Sequence, residues 1–272
     1  MADLQMRAPA PFDVLADTYD EVFTRSLIGQ AQRSQVWRVL EQAFSPGQRV
    51  LEINCGTGED ALFLARLGIA VLGCDSSPRM IAVAQSRKAI EAPEAIVDFR
   101  LLPTEQLNQL PREQFDGAFS NFGGLNCVED LCTVAAELAK VLKPGAPLIL
   151  CVASRVCAWE MLWYGLQGNW EKAFRRLRRA GVVATLGSAR VHVWYPSASE
   201  LGRTFAPWFR LKGHRGVGVF VPPSYLEHWA RRHTSLLRIC ERLDSVIAPS
   251  SILRNFGDHV LLHFERIGDA KT

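Results

Sequence analysis

Two glycines and an aspartate in the first third of the chain have the spacing of a cofactor-binding turn. The segment R-V-L-E-I-N-C-G-T-G-E-D begins as an apolar strand, turns at Gly56 and Gly58, and continues into residues with helical spacing. Glycine tolerates a positive φ and lets the backbone lie against a ligand, and the N–H groups of the following helix point toward that ligand. Asp75 ends the next apolar segment, where its carboxylate can accept hydrogen bonds from both hydroxyls of a ribose. The spacing therefore predicts a cradle for a ribose-containing cofactor.

Glu52 distinguishes between the two cofactor classes that use such a turn. Gly56, Gly58 and Ala61 fit the pattern G-x-G-x-x-G/A of dinucleotide-binding domains, so a nicotinamide dinucleotide is one candidate. Glu52, however, lies inside the first strand just before the turn, and its carboxylate would repel a pyrophosphate. S-adenosylmethionine has a cationic amino acid end and no phosphate. The acidic residue therefore favours the methyl donor over the dinucleotide.

Four motifs in chain order resemble those of class I S-adenosylmethionine-dependent methyltransferases, in particular the small-molecule, type 11-like enzymes. V-L-E-I-N-C-G-T-G resembles the first motif, and G-C-D-S-S-P-R-M at 73–80 resembles the second. F-D-G-A-F-S-N-F-G-G-L-N at 115–126 resembles the fourth motif, and L-K-P-G-A-P-L-I-L at 142–150 the junction that follows. The resemblance implies an α/β, Rossmann-like, doubly wound sheet of seven strands with the last strand antiparallel. It also implies S-adenosylmethionine as the cofactor and S-adenosylhomocysteine as its product.

The resemblance and the strand-end positions together give a set of candidate cofactor-binding residues. They lie in the N-terminal segment, in the glycine turn and after the second, third and fourth strands: Tyr19, Glu52, Asn54, Gly56, Gly58, Asp75, Ser76, Met80, Thr104, Glu105, Asn121 and Phe122. A packing role in the core is an equally good interpretation of Tyr19, and Met80 packs either on the adenine or on the core. The family commonly has an acidic residue after the third strand that binds the adenine amino group, whereas this chain has Pro103. Backbone groups beside it, or the side chain of Glu105, are left to make that contact.

The chain is expected to form a single methyltransferase domain over residues 1–272, with three additions to the sheet. Residues 12–44 form an N-terminal lid and helix, 154–189 a helical cap rich in aromatic residues, and 216–256 a second insertion with helical character. The cap follows the fifth strand and is expected to roof the methyl site, although its aromatic residues would serve equally well as its own core. The arginine run at 175–179 is more typical of a solvated helix face than of a patch that binds an acidic substrate.

Few side chains need to react in such an enzyme, because the sulfonium charge already activates the methyl group and the protein mainly aligns the reactants and excludes water. A phenolic acceptor, with a pKa of ~10, would use a histidine or carboxylate to remove its proton. His192 is the first candidate for this base, since it is expected between the cap and the sheet edge, and Glu160 and His214 follow. A structural role is the more common one for each of them. Carbon or amine acceptors need no such base.

The predicted function is S-adenosylmethionine-dependent methyl transfer to a small, apolar or aromatic acceptor, with oxygen methylation slightly favoured over methylation of carbon or nitrogen in a small metabolite. A non-catalytic homologue that only binds S-adenosylmethionine is an open alternative, because no residue in the sequence is demonstrably catalytic. A nicotinamide-dependent oxidoreductase is a weaker alternative, because Glu52 opposes a pyrophosphate.

The bulk properties of the chain argue against several other classes of protein. Its 272 residues carry a formal net charge of +3, which is too small to favour nucleic acid as a partner. It has no apolar run of the ~20 residues that span a bilayer, and its first residues lack the apolar core of a signal peptide. A cytoplasmic monomer or homodimer is therefore expected. Seven scattered cysteines without a C-x-x-C pair indicate reduced thiols, with no disulfide framework and no metal site.

Overall fold

A seven-stranded sheet carries the glycine turn and the strand ends around it. The computed structural model describes residues 10–247 and 250–268. Along this part of the chain the strands are β1 (Arg49–Ile53), β2 (Ala70–Asp75), β3 (Val97–Leu101), β4 (Gly117–Ser120), β5 (Pro147–Ala153), β6 (Val182–Leu186), β7 (Ala189–Val193), β8 (Phe209–Val217) and β9 (His259–Arg266).

The order of the strands in the sheet is β3-β2-β1-β4-β5-β9-β8. Strands β1 to β5 pair in parallel, and β9 pairs antiparallel with both β5 and β8. This arrangement confirms the predicted Rossmann-like α/β fold, including its antiparallel last strand. The strand order reverses between β1 and β4, which is where open sheets of this kind bind their ligands.

Helices cover both faces of the sheet and connect the parallel strands. In the described part of the chain they are α1 (Leu27–Ala43), α2 (Glu59–Arg66), α3 (Pro78–Glu91), α4 (Leu131–Val141), α5 (Ala158–Leu166), α6 (Trp170–Ala173), α7 (Ala198–Phe205), α8 (Glu227–Arg232) and α9 (Thr234–Ile247). Short 3-10 or π turns occupy Pro11–Leu15, Asp20–Thr24, Thr104–Gln109, Gly124–Cys127, Arg175–Leu177, Ser224–Leu226 and Leu253–Asn255. Within residues 10–247 and 250–268, none of the helices combines the length and the apolar character needed to cross a bilayer.

The predicted cap is helical over α5 and α6, but its last residues form strand β6. This strand pairs with β7 in a hairpin that lies outside the main sheet. The segment V-V-A-T-L is rich in β-branched residues, which favour strands. Gly187 then has a φ of +57° in the two-residue turn, which suits a tight hairpin. The division of the chain into one domain with a lid and two insertions stays an interpretation.

Helix α3 begins beside the predicted ribose-binding residue in the way its sequence predicts. The side chain of Ser77 accepts a hydrogen bond from the N–H of Met80, and Pro78 occupies the first helical position. These two signals stop β2 and start α3 within three residues of Asp75. The position of the Asp75 carboxylate is therefore fixed by the strand before it and the helix cap after it.

The alternation of side chains in β1 places an acidic group inside the protein. Leu51 and Ile53 enter the apolar cluster on one face of the sheet, and Val50 enters the cluster on the other face. Glu52 shares the face of Val50 and is only 1% exposed. A buried carboxyl is costly when charged, so its surroundings must balance the charge or keep the group protonated.

Because β9 runs opposite to the parallel strands, its first residue lies at the edge where those strands end. His259 pairs with Ala153 at the end of β5 and with Val217 at the end of β8. The beginning of the last strand therefore lies at the same edge of the sheet as Gly56 and Asp75.

Candidate functional site

A cleft opens at the edge where β1, β2 and β4 end. We call it the strand-end cleft, and it contains about 700 Å³ of empty space that is continuous with solvent. Its lining comes from the N-terminal segment, the glycine turn and the loops after β2, β3 and β4: Phe12, Tyr19, Asn54, Gly56, Asp75, Ser76, Met80, Thr104, Glu105, Asn121, Phe122, Gly123, Gly124, Cys127 and Val128. All of the predicted cofactor-binding residues except Glu52 and Gly58 are in this set.

Asp75 is held by backbone donors at the edge of the cleft. Its Oδ2 accepts a hydrogen bond from the N–H of Gly56 and its Oδ1 one from the N–H of Ser77, each at 2.9 Å. Burial raises the pKa of Asp75, and the backbone hydrogen bonds oppose this rise. The N–H of Ser76 also acts on this carboxylate, and since a carboxylate has about four lone-pair positions, acceptor capacity remains for a ribose hydroxyl. The group is both oriented and available for the binding role that the sequence predicts.

The two glycines of the turn have different surroundings. Both have a positive φ, +52° at Gly56 and +78° at Gly58. A Cβ at Gly56 would meet no atom within 4 Å, so the space beside this residue is open. A Cβ at Gly58 would lie 2.6 Å from the ring of Phe99 and 2.9 Å from the Cβ of Ala84. Gly56 thus leaves room for a ligand, whereas Gly58 allows α2 to pack against β3 and α3.

Glu52 lies behind the lining of the cleft. Its carboxyl is buried, and Oε2 has no hydrogen-bond partner among the described residues. Burial and the charge of Asp60 raise the pKa of Glu52 well above its usual range, and the charge of Arg33 partly opposes them. Burial thus favours the neutral form of Glu52 behind the lining of the cleft, and its predicted contact with the cofactor stays a prediction.

Asp60 is the centre of a buried polar network that sequence reasoning missed. It forms an ion pair with Arg33 of α1 at 2.5 Å, and it accepts hydrogen bonds from Nε1 of Trp37 at 2.6 Å and from Nδ2 of Asn121 at 2.9 Å. Oδ1 of Asn121 accepts from the N–H of Phe122. Both ends of the Asn121 amide are thus engaged within the protein. Asp60 follows the glycine turn directly, but its partner Arg33 lies on an earlier helix, so spacing alone could not reveal the pair.

Asn54 and Phe122 have unusual backbone conformations on two sides of the cleft. Their φ angles are +58° and +46°, a region that non-glycine residues enter rarely and mostly at functional sites. The side chain of Asn54 donates to Oγ1 of Thr104 at 2.9 Å and accepts from Oγ of Ser120 at 3.2 Å. A Cβ at Gly124 would lie 2.3 Å from the Cβ of Asn54. The loops after β1, β3 and β4 are therefore locked together around Asn54.

Residues 12–24, which we call the N-terminal lid, are fastened by aspartates to the glycine turn and to α3 with its N-cap. The contacts are Asp13 with Ser77 at 2.5 Å, Asp17 with Arg79 at 2.5 Å, and Asp20 with Thr57 at 2.8 Å and with Arg87. These contacts hold Phe12 and Tyr19 beside the cleft. Burial raises the pKa of Tyr19 to about 12, so its hydroxyl is protonated at neutral pH.

A second cavity lies on the other side of three aromatic rings. It is lined by Phe12, Leu15, Thr18, Tyr19, Val22, Phe23, Phe122, Leu186, Ser224, Asp258 and His259. Phe12, Tyr19 and Phe122 border both this second cavity and the strand-end cleft. The N-terminal lid, the tip of the β6–β7 hairpin and the start of β9 thus enclose a mostly apolar space next to the cleft.

The structure does not bring the predicted general bases to either cavity. His192 is exposed on β7, where its Nε2 lies 2.6 Å from the carbonyl oxygen of Ala180 and its ring stacks on Trp194. Glu160 is buried and forms ion pairs with two arginines. His214 lies on β8, outside both sets of lining residues. The hairpin turns His192 away from the sheet edge, which the expectation of a helical cap could not anticipate.

The arginine run at 175–179 is not the uniformly solvated face that its composition predicted. Arg176 is only 8% exposed, and its guanidinium lies 2.9 Å from Glu160 and 2.7 Å from Asp258. Arg178, in contrast, is exposed on the surface. The physical reason is that two buried carboxylates need a positive partner within hydrogen-bonding distance.

Residues 51–150 match the model of a family described as a methyltransferase domain. The strand order and the glycine turn beside Asp75 are likewise those of a class I S-adenosylmethionine-dependent methyltransferase fold. The residues present fit S-adenosylmethionine as a cofactor. Asp75 has free acceptor positions for a ribose, Gly56 leaves room beside the turn, and the acidic Glu52 and Asp60 suit a cationic amino acid end better than a pyrophosphate.

Several curated proteins share the sheet region of this chain. The chain is 33% identical over 138 residues to 2-phytyl-1,4-naphtoquinone methyltransferase of Synechococcus elongatus, covering 50% of this chain and 58% of that protein. It is 35% identical over 115 residues to ubiquinone biosynthesis O-methyltransferase of Hahella chejuensis, covering 42% of this chain and 47% of that protein. The chain thus spans about half the length of these relatives.

Solved structures with the same fold cover nearly all of the chain at low sequence identity. The crystal structure of the [4+2]-cyclase SpnF has a TM-score of 0.64 at 18% identity and covers 96% of this chain and 97% of its own. A S-adenosylmethionine dependent methyltransferase from Mesorhizobium loti has a TM-score of 0.57 at 16% identity and covers 88% of this chain and 100% of its own. These likenesses establish the fold.

Proposed function

We propose that this protein transfers the methyl group of S-adenosylmethionine to a small hydroxylated aromatic molecule of the quinone type. The observation that carries the proposal is the pair of adjoining cavities, which share Phe12, Tyr19 and Phe122 as a common wall. The first has the polar groups that fit the donor, and the second is mostly apolar and suits a flat aromatic acceptor. The names of the relatives support a quinone-type acceptor, since they include a naphthoquinone methyltransferase and an O-methyltransferase of ubiquinone biosynthesis.

The protein's own residues bind, orient and shield the reactants in this proposal. Bound S-adenosylmethionine supplies a methyl group that its sulfonium charge has already activated. Asp75 holds the ribose and thereby fixes the donor along the sheet edge, and Glu52 and Asp60 favour its cationic end. The shared aromatic wall and the N-terminal lid exclude water, which favours methyl transfer over side reactions. Alignment of the two reactants in direct contact, where the two cavities adjoin, then provides most of the acceleration.

Oxygen is the acceptor atom that we propose, ahead of carbon or nitrogen. A hydroxyl oxygen becomes a better nucleophile when its proton is removed, and the second cavity contains an imidazole, that of His259.

Calorimetric titration of the purified protein with S-adenosylhomocysteine, with NADH as the control ligand, tests the cofactor assignment. We expect binding of S-adenosylhomocysteine alone, and binding of NADH alone would instead favour an oxidoreductase. The variant Asp75→Ala should weaken S-adenosylhomocysteine by about tenfold or more, because hydrogen bonds to a charged group contribute about 1.5–3 kcal/mol. The control is Asp98→Ala, which removes an exposed carboxylate from the neighbouring strand β3 and should leave the affinity unchanged. Equal affinities in the two variants would contradict the ribose role of Asp75.

Transfer of a labelled methyl group from S-adenosylmethionine to catechol and to 1,4-naphthohydroquinone, both under anaerobic conditions, tests the acceptor class. We expect a methyl ether as the product, which mass spectrometry distinguishes from a ring-methylated product by its fragmentation. A ring-methylated product would show that the acceptor atom is carbon and not oxygen. Binding of S-adenosylhomocysteine without any transfer would favour the non-catalytic alternative.

A further inference from the structure

The imidazole of His259 is the side chain in the second cavity that is best suited to accept a proton. His259 is the first residue of β9, at the edge of the sheet where β1 and β4 end. Its ring lies edge-on to Phe122, with ring centroids 5.4 Å apart, and Phe122 belongs to the wall shared with the strand-end cleft. The imidazole is thus one aromatic ring away from the space that fits the donor.

The carboxylate of Asp258 lies beside the imidazole of His259. Nδ1 of His259 lies 3.6 Å from Oδ2 of Asp258, which is within reach of an ion pair but longer than a hydrogen bond. Nδ1 is buried and has no hydrogen-bond partner among the described residues. With Nδ1 facing the carboxylate, Nε2 is the ring nitrogen left for a ligand in the cavity. Catalytic contacts of this kind are often long before the reactants bind.

Asp258 is itself held in place from two other elements. Its Oδ1 accepts a hydrogen bond from Arg176 at 2.7 Å, and its Oδ2 accepts one from Nε2 of Gln32 on α1 at 3.3 Å. Burial alone would raise the pKa of Asp258, but the imidazole of His259, when it is protonated, and the charge and hydrogen bond of Arg176 outweigh burial and hold this pKa below its usual range. The carboxylate is therefore ionised and positioned to stabilise a protonated imidazole.

The other polar groups of the second cavity are poorer proton acceptors at neutral pH. The phenol of Tyr19 keeps its proton because burial raises its pKa to about 12. Thr18 and Ser224 have neutral hydroxyls, and Asp258 is engaged with Arg176. Burial lowers the pKa of His259, and the positive charge of Arg176 lowers it further, whereas the negative charge of Asp258 raises it. Because the net effect is a lower pKa, the imidazole is neutral and can accept a proton.

We propose that His259 is the general base that removes the hydroxyl proton of the acceptor, and that Asp258 is a positioning residue that orients and stabilises the imidazole. This inference rests on the methyltransferase function proposed above. As the acceptor O–H bond breaks, its proton passes to Nε2 of His259, and the oxygen forms a bond to the methyl carbon. The electron pair of the broken S–CH₃ bond stays on sulfur, which leaves S-adenosylhomocysteine. The imidazolium returns its proton to water when the products leave.

The test compares His259→Gln with His263→Gln, a matched change on the same strand at a residue outside both cavities. Initial rates of methyl transfer are measured with catechol and with 4-nitrocatechol, whose more acidic hydroxyl is ionised over much of the neutral range. With catechol, we expect His259→Gln to lower kcat by about 100-fold or more, which is the usual effect of losing a general base. With 4-nitrocatechol the loss should be less than about tenfold. His263→Gln should resemble the unaltered protein with both acceptors.

The pH dependence of kcat/KM separates a base from a structural residue. The groups that face the imidazole are Asp258, Arg176 and, across the cavity, Tyr19. The unaltered protein should lose activity as the pH falls through the pKa of His259, and His259→Gln should lose this acidic limb. Asp258→Asn removes the charge that raises the pKa of His259, so the limb should move to lower pH. A merely structural role of Asp258 would lower the rate and leave the limb where it was.

The outcomes distinguish this proposal from the function on which it rests. If His259→Gln binds S-adenosylhomocysteine normally and transfers methyl groups to catechol within about threefold of His263→Gln, the base lies elsewhere, although the methyltransferase function stands. If the unaltered protein binds S-adenosylhomocysteine and methylates none of the phenols, the acceptor class and the role of His259 both fall. If it does not bind S-adenosylhomocysteine at all, the proposed function fails first.

Discussion

The strand-end cleft and the second cavity are built from different kinds of sequence. Most of the cleft is formed by loops that follow β1, β2, β3 and β4, so most of its lining residues lie within a few positions of a strand that fixes them, and the N-terminal lid adds Phe12 and Tyr19. The second cavity is formed by the N-terminal lid, the hairpin tip and the start of β9, which come from three distant parts of the chain. A local motif can therefore describe the proposed cofactor site, whereas the proposed acceptor site exists only after the whole sheet has assembled.

The largest expected effect tests whether the buried ion pair of Arg33 and Asp60, behind the strand-end cleft, stabilises the fold. Replacing Arg33 by Met would leave Asp60 buried without its ion-pair partner. We expect a loss of about 3–5 kcal/mol in the free energy of unfolding, because breaking one side of a buried pair leaves an uncompensated charge. Denaturant unfolding measures this loss, and the control is Arg38→Met on the exposed side of the same helix. Similar stabilities for the two variants would show that the network contributes little to the fold.

A smaller effect should separate packing from ligand contact within the glycine turn. Gly58→Ala places a Cβ against Phe99 and Ala84, and we expect it to reduce stability by about 2–4 kcal/mol through overpacking and backbone strain. Gly56→Ala meets no neighbouring atom, so its stability cost should be only about 1 kcal/mol from its positive φ. It should, however, weaken S-adenosylhomocysteine in calorimetry by more than Gly58→Ala does once both proteins are folded. A larger loss of affinity in Gly58→Ala than in Gly56→Ala would show that Gly58, and not Gly56, lies against the ligand.

The smallest expected effect concerns the second cavity alone. Leu186→Ala removes apolar surface at the tip of the hairpin, and we expect the KM for catechol to rise by about tenfold, since burying such a side chain contributes about 1.5–3 kcal/mol. The affinity for S-adenosylhomocysteine should not change. Val183→Ala, on the exposed side of the same strand, is the control and should change neither quantity. A joint change in both affinities for Leu186→Ala would show that the hairpin serves the cofactor side as well.

Much of the fold was readable because its signals are local. The glycine turn, the strand-end aspartate and the Ser77-Pro78 helix start follow one another along the chain, and the structure places them as the sequence predicts. The alternating residues of D-H-V-L-L-H-F-E-R at 258–266 likewise suit the last strand. The hairpin was harder, because V-V-A-T-L follows a long helical stretch and its glycine turn carries no asparagine or aspartate.

The acceptor side was not readable, since its groups meet only in three dimensions. His192 was selected by its expected place between cap and sheet, but the hairpin turns it to the surface. His259 gave a usable signal, because the first residue of an antiparallel last strand must lie at the edge where the parallel strands end. To predict this position from the sequence, one must know both that residues 259–266 form a strand and where that strand lies in the sheet. The sequence gives no such signal for Arg33 or Arg176, because their carboxylate partners Asp60 and Asp258 lie elsewhere in the chain.

The shared wall of Phe12, Tyr19 and Phe122 links the thermodynamics of the two ligands. Two of these residues belong to the N-terminal lid, so a displacement of the lid that widens one cavity also changes the shape of the other. Whatever factor the donor imposes on the affinity for the acceptor, the acceptor must impose on the affinity for the donor. The same reciprocity of affinities holds for S-adenosylhomocysteine and the methylated product. In the proposed function, the aspartates that fasten the lid therefore also affect how binding of one ligand changes the affinity for the other.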